Sequence, residues 1–252
     1  MKSKIFLFLA IGSVAGMLAM SGCHRDDDEG NGRNGRTTGT LSGHAWVDLG
    51  LPSGTKWATC NVGANSPEEY GDYFAWGETT AKESYQWSTY RYCNGSYNTL
   101  TKYCNNSSYG YNGFTDNLTT LEASDDAATA NWGAGWRMPT YAEVVELITY
   151  CPKTWTTQNL VPGCLFTGPN GNSIFFPFAG IHTIDDYYYD GYHSDGDSYL
   201  DGAGKEGYYW MNSLKANTYA CAEDFGFSRD LLSYNDGSER IRGESVRPVC
   251  NR

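Results

Sequence analysis

The stretch Ser124 to Cys151, SDDAATANWGAGWRMPTYAEVVELITYC, constrains this chain more than any other. Thr140 precedes Glu143 by three residues, so hydroxyl and carboxylate can reciprocally satisfy the amides left bare at a helix start. Pro139 fixes the backbone just before that cap. Val144, Leu147, Ile148 and Cys151 then recur at i, i+3, i+4 and i+7, an apolar stripe along a helix that Pro152 ends. Upstream, Ser124, Asp125 and Asp126 supply a cap and negative charge to the start of a shorter Ala-rich helix, which Gly133 and Gly135 break before Trp136. Two short helices hinged at a Gly-Trp-Arg turn follow, and their stripe needs a sheet to cover it.

The remainder reads as strands and turns. Twenty Tyr and 30 Gly beside 19% charged residues favour strands over long helices, and 252 residues suffice for one sizeable core. Trp46 to Gly50 and Thr55 to Cys60 alternate as half-buried strands about the turn Pro52-Ser53-Gly54. Tyr73 to Trp76 returns as a buried strand. Thr79 to Leu118 lacks periodicity and is expected to be a long surface excursion. Leu165 to Thr167 and Ser173 to Phe176 flank a turn-rich Gly168 to Asn172, a hairpin. Ala179 to Gly207 is loop-like, and Gly207 to Leu214, Tyr219 to Phe227 and Glu244 to Cys250 form a closing sheet.

At the start, Lys2 and Lys4 precede an apolar run from Ile5 to Met20 and then Ser21-Gly22-Cys23, the pattern of a lipoprotein signal peptide over residues 1–22 with lipidation at Cys23. Residues 23–43, acidic and then Gly-rich, are expected to be a flexible tether, with the folded domain spanning 44–252. Removing Lys2 and Lys4 leaves 16 basic against 29 acidic residues, a net charge near −13 that disfavours nucleic acid as a partner. The outer membrane, reached through the lipid, is the expected anchorage. Seven cysteines remain, an odd number. Cys93 with Cys104 closes a short loop, Cys164 and Cys221 are a further potential pair, and Cys151 belongs to the helix stripe as a buried thiol.

Few constellations point to catalysis. Gly30 to Gly35 and Gly202 to Gly207 match Gly-x-Gly-x-x-Gly, but neither lies between a strand and a helix, as a phosphate cradle requires. No Cys-x-x-Cys, His-Glu-x-x-His or Gly-x-Ser-x-Gly occurs, and His24, His44, His182 and His193 are scattered. Asp195, Asp197 and Glu206 fall at positions 1, 3 and 12 of an EF-hand-like loop, but Leu200 replaces its Gly and Tyr199 a ligand. An irregular calcium site drawing on Asp195, Asp197 and Asp201, with Asp185, Asp186 and Asp190 nearby, is the remaining cofactor candidate; otherwise none is expected.

Asp126-Ala127, Trp132 and Arg137-Met138-Pro139-Thr140-x-Ala142-Glu143 resemble a run in the formylglycine-generating sulfatase-modifying fold, a variant of the C-type lectin fold. WVDLGLPSGTKWATCNVGANSPEEYGDYFAWGET, DDAATANWGAGWRMPT, GPNGNSIFFPFAG, GYYWMNSL and ESVRPV resemble, in order, the Fibrobacter succinogenes major paralogous domain of surface lipoproteins. The resemblance implies an α+β, C-type lectin-like fold: two short helices packed on mixed and antiparallel sheets with long loops, and the last strand beside the first. That placement implies a Cys60–Cys250 disulfide. The oxidase chemistry of the formylglycine-generating family is not expected, because Cys250 stands without the second cysteine of that family's pair, and the sugar-binding Glu-Pro-Asn, Gln-Pro-Asp and Trp-Asn-Asp signatures are absent. His24 to Glu29 resembles the surface-export signal of Bacteroidetes lipoproteins.

The function implied is non-enzymatic binding of an extracellular protein or glycan, with a structural or adhesion role as the alternative. Met211, Asn212, Glu223, Arg229, Asp230 and Tyr234 interrupt the framework after Tyr208, a layout resembling the variable segments of retroelement-diversified C-type lectin-like proteins. They are expected on one exposed binding face, with Tyr187, Tyr188 and Tyr189 at its edge.

Overall fold

The computed structural model describes residues 37–184, 188–189, 192–193, 197–234 and 237–251. Its strands are β1 (Thr38–Leu41), β2 (His44–Asp48), β3 (Lys56–Ala58), β4 (Tyr73–Phe74), β5 (Lys153–Gln158), β6 (Val161–Thr167), β7 (Ser173–Pro177), β8 (Ile181–Ile184), β9 (Tyr188–Tyr189), β10 (Tyr192–His193), β11 (Ser198–Asp201), β12 (Glu206–Leu214), β13 (Cys221–Ser228), β14 (Leu232–Ser233), β15 (Ser238–Glu239), β16 (Glu244–Ser245) and β17 (Val249–Cys250). Between β4 and β5 lie α1 (Ala127–Trp132) and α2 (Tyr141–Tyr150), the two α-helices among the described residues. The architecture is α+β and mostly sheet.

Both helices form as their caps dictate. The Asp126 carboxylate accepts from the Thr129 amide at 3.0 Å, and Gly133 ends α1 at φ 93°. Thr140 and Glu143 complete the reciprocal box at α2. Val144, Leu147 and Cys151 carry the stripe into a core shared with Phe166, Phe176, Tyr209, Phe225 and Phe227.

The central sheet runs β14-β13-β12-β16-β4, with β15 also on β13, and its middle strands are buried on both faces over much of their length. Alternation along β12 sends Tyr209 and Met211 into that first core, while Trp210 enters a second core with Trp76, Trp136 and Phe74. Three indoles of this second core also spend their donors on distant carbonyls: Trp76 on Met211, Trp210 on Phe74, Trp136 on Leu41, at 2.7–3.0 Å. Burying a side chain of that size stabilises by roughly 4–6 kcal/mol before entropy.

A second sheet runs β1-β2-β3-β17, so the last strand joins the sheet of the first but pairs with β3 rather than beside it, and Trp46 lies opposite Ala58 as the opening hairpin requires. Regular structure is already present before residue 44, however. β1 lies within the expected tether, and its Gly39 is there for packing: a Cβ would sit 2.5 Å from the Trp46 ring. The excursion from Thr79 to Leu118 is not confined to the surface either, since Trp87, Tyr90, Tyr92, Leu100 and Tyr103 are buried in the second core. Ala179 to Gly207 carries β8 to β11, with β8 and β11 paired antiparallel. The segment Glu244 to Cys250 divides, β16 joining the central sheet and β17 the second.

The expected disulfides are corrected. The cysteines among the described residues are thiols. Cys250 lies opposite Lys56, four residues before Cys60, a displacement of roughly 13 Å along an extended strand. The Cys93 thiol donates to the Trp87 carbonyl at 3.0 Å and the Cys104 thiol to that of Asn106 at 3.2 Å. Cys164, fully buried among Phe166 and Phe176, and half-buried Cys221 are not bonded either.

Candidate functional site

The expected variable face does not form. Because the middle of the central sheet is covered on both sides, Met211 is fully buried in the first core and Glu223 is buried 3.9 Å from Lys215. Asn212 is half-buried, its amide and carbonyl bonded to Pro139 and Leu121, and half-buried Tyr234 packs on Tyr141. Only Arg229 and Asp230 of the six are exposed, together at the end of β13. Cys23, Tyr187 and Asp195 lie outside the described residues; Tyr188 and Tyr189 pair through β9 with Tyr192 and His193 of β10. Asp197 and Asp201 are exposed, and among the described residues no three His, Cys, Asp or Glu side chains gather to hold a metal ion. His44 stacks on Trp132 at 3.8 Å, and His182 packs against Tyr73 and Tyr85; burial lowers the pKa of both, so each is a neutral ring in an aromatic setting.

A different site forms where the second-core face of the central sheet runs out of apolar residues. Along β12 that face carries Glu206, Tyr208 and Trp210; along β13, Ala222, Asp224, Gly226 and Ser228. The register sets Trp210 opposite Asp224, Tyr208 opposite Gly226 and Glu206 opposite Ser228. Gly226 has a reason to be glycine, because a Cβ there would press on the Tyr208 ring at 3.1 Å. The Tyr208 hydroxyl donates to Glu206 Oε2 at 2.7 Å, and Ser238 Oγ donates to Asp224 Oδ2 at 3.0 Å. Two adjoining hollows of about 240 and 430 Å³ share Glu206, Tyr208, Gly237 and Ser238 and make one cleft, which Thr183, Tyr199 and Asp201 wall from the β8–β11 pair. At its rim Arg242 bonds to Glu239 at 3.1 Å and to Thr183 Oγ1.

Beside this cleft lies Glu244. It pairs with Phe74, so its side chain shares the face of Phe74, Trp210 and Asp224. It has no exposed surface, and neither carboxyl oxygen has a hydrogen-bond partner among the described residues. Burial, then the Asp224 charge, pushes its pKa well above the carboxylate range; Ser238 and Arg242 pull the other way and are outweighed. Burial and then Glu206, Glu244 and Asp224 likewise raise Tyr208. The site is thus a cleft of acceptors with a fully buried carboxyl, its pKa raised, on the same sheet face.

A separate hollow of about 450 Å³ at the helix hinge is lined by residues that include Asp126, Thr129, Arg137, Asn212 and Asn251. Its charged groups are already committed: Asp126 caps α1 and accepts from the Met138 amide, and Arg137 is forked onto Glu143.

Of the cleft residues, the sequence singled out Glu206 and Asp201, as members of an acidic loop, and Tyr208 only as framework. Asp224 and Glu244 were missed, although an acid inside the otherwise apolar strands CAEDFGFS and GESV was a visible signal. Comparison with protein families, curated proteins and solved structures finds no match to this chain.

Proposed function

We propose that this chain is a non-enzymatic ligand-binding module of C-type lectin-like fold, displayed at the cell surface on a lipid attached to Cys23, and that the acidic cleft across β12 and β13 is its ligand seat. The pairing of β17 with β3 and the helix pair at the Gly-Trp-Arg hinge support the fold. The observation that carries the function is the buried Glu244 carboxyl, without a hydrogen-bond partner among the described residues and on the sheet face that opens into the cleft, an arrangement that costs stability. Cys221 at the cleft rim is held as a thiol by burial, which favours binding over thiol chemistry. An extracellular protein or glycan is the ligand class. Screening a chain starting at Arg36 on a glycan array and against extracellular proteins should yield a ligand whose affinity falls at least about tenfold in Tyr208→Ala and Asp224→Asn. Undiminished binding in both variants would exclude the cleft.

A structural or adhesive role is the second reading, and the β5–β6 hairpin favours it. β5 is an edge strand, and the turn beyond it presents Leu160 at 93% exposure and φ 69°. Concentration-dependent assembly lost in Leu160→Asp, with no ligand found, would move the assignment to this role.

A further inference from the structure

We propose that β5 pairs with β5 of a second copy of this chain, edge to edge and antiparallel, so that one sheet continues through two molecules. The inference rests on the structural reading and deepens it by naming the partner. β5 lies at the edge of the sheet β5-β6-β7, where Lys153, Thr154, Thr156 and Thr157 are exposed. The Thr167 amide donates to the Pro152 carbonyl at 3.0 Å, so the hydrogen-bonded pairs with β6 alternate from there as Thr154–Leu165, Thr156–Gly163 and Gln158–Val161. The amides and carbonyls of Lys153, Trp155 and Thr157 therefore point away from β6, and among the described residues no other strand takes them. Nothing blunts this edge: the register with β6 is unbroken from Lys153 to Gln158, the strand holds no proline, and its single charge stands at one end.

The occupant follows from self-complementarity. A twofold axis through Trp155, normal to the sheet, sets Trp155 opposite its copy and Lys153 opposite Thr157. In that register all three outward residues exchange hydrogen bonds across the axis. Thr154 then faces Thr156 of the second copy, a favourable cross-strand pair, and the two lysines lie at opposite ends. Charge fits as well. Gln158 and Asn159 hold Glu68 at the far end of β5, and among the described residues neither Glu68 nor Lys153 has a salt bridge. Antiparallel pairing brings Lys153 of each copy to the Glu68 end of the other. It also carries Leu160, 93% exposed in the left-handed region, toward exposed Tyr150 at the end of α2.

The test is disulfide trapping of the full chain in non-ionic detergent, with micelles in excess over protein. Thr154→Cys and Thr156→Cys proteins are mixed, mildly oxidised and mapped by mass spectrometry, because residues opposed in a non-hydrogen-bonded pair lie within disulfide reach. A bond between positions 154 and 156 is expected in the mixture, and at least about tenfold less trapping at these positions in either protein alone. Thr157→Pro removes an outward amide, leaves the bonds to β6, and should cut the yield about tenfold with the melting temperature kept. Lys153→Glu or Glu68→Lys carried by both proteins should lower the yield about threefold, whereas one in each protein should restore it, since opposite charges then meet at both ends. A chain that sediments as a monomer at every concentration and traps no such bond overturns both this inference and the structural reading. Trapping equal in the mixture and in the separate proteins marks another register and overturns the inference. Assembly whose disulfides map elsewhere, or whose yield ignores Thr157→Pro and the charge variants, overturns the inference alone and leaves the structural reading to another surface.

Discussion

Arg247 is a guanidinium at 1% exposure whose acceptors are all uncharged. It donates to Asn61 Oδ1 and to the carbonyls of Ala58, Thr59 and Phe175 at 2.8–3.2 Å, and lies 4.4 Å from the centre of the Phe176 ring. A planar fork is what this arrangement needs, since a lysine ammonium has three donors on one atom and cannot reach four acceptors in different directions. Arg247→Lys should lower stability by about 3 kcal/mol, and Arg247→Met by more, because it leaves every acceptor bare. Urea unfolding checks both; a loss under about 1 kcal/mol for lysine would mean that water replaces the fork. Sequence shows Ser245 to Val249 as a fixed run but not why, because the partners of Arg247 lie as many as 189 residues away and are mainly backbone carbonyls. The same limit hid Glu244, whose significance is the lack of a hydrogen-bond partner among the described residues, in a fold that no local pattern describes.

Among the elements, α2 was legible and its environment was not. The Thr140–Glu143 box and the stripe after it can be read from spacing alone. Sequence could not show that Glu143 also accepts from Thr55 Oγ1 at 2.8 Å and from both terminal nitrogens of Arg137, tying the helix start to the β2–β3 turn. Burial alone would raise the Glu143 carboxyl, but the Arg137 fork and the Thr140 amide outweigh it and hold it down at about 2. A carboxyl depressed in this way contributes stability above its unfolded pKa of about 4.3 and loses that contribution as pH falls toward 2. Wild type should therefore weaken across that window, and Glu143→Gln should start on the order of 2 kcal/mol lower at pH 7 and stay flat through it. Urea midpoints at pH 7, 4.5 and 2.5 decide the matter; parallel slopes in the two proteins would mean that other carboxyls carry the acid response. Elements without a repeat were the illegible ones. Trp87, at the start of a single 3-10 turn, and Tyr90, Tyr92 and Tyr103, from irregular backbone, enter the core singly, so no period announced them.

At the scale of the molecule, the first and last strands were expected side by side, but they lie at opposite edges of one sheet, with β17 on β3 and β1 on β2; the place where the domain begins was misjudged as well, because glycine was taken for flexibility. β1 is held by the ladder to β2 and by the Asp48 amide donating to the Thr37 carbonyl at 2.8 Å. Leu41 is buried at 7% exposure and packs where a Cβ on Gly135 would meet it at 2.8 Å. Its carbonyl takes the Trp136 indole proton, so the strand also anchors the hinge between α1 and α2. A chain starting at His44 loses the burial of Leu41, roughly 2 kcal/mol, and leaves the Trp136 donor unpaired in the core, about 1–3 kcal/mol more. Relative to a chain starting at Arg36 it should be less stable by about 3–5 kcal/mol and melt roughly 10 °C lower. Calorimetry on the two chains measures the difference directly. Equal melting temperatures would mean that β1 only lies on the sheet, and that the domain begins at β2 after all.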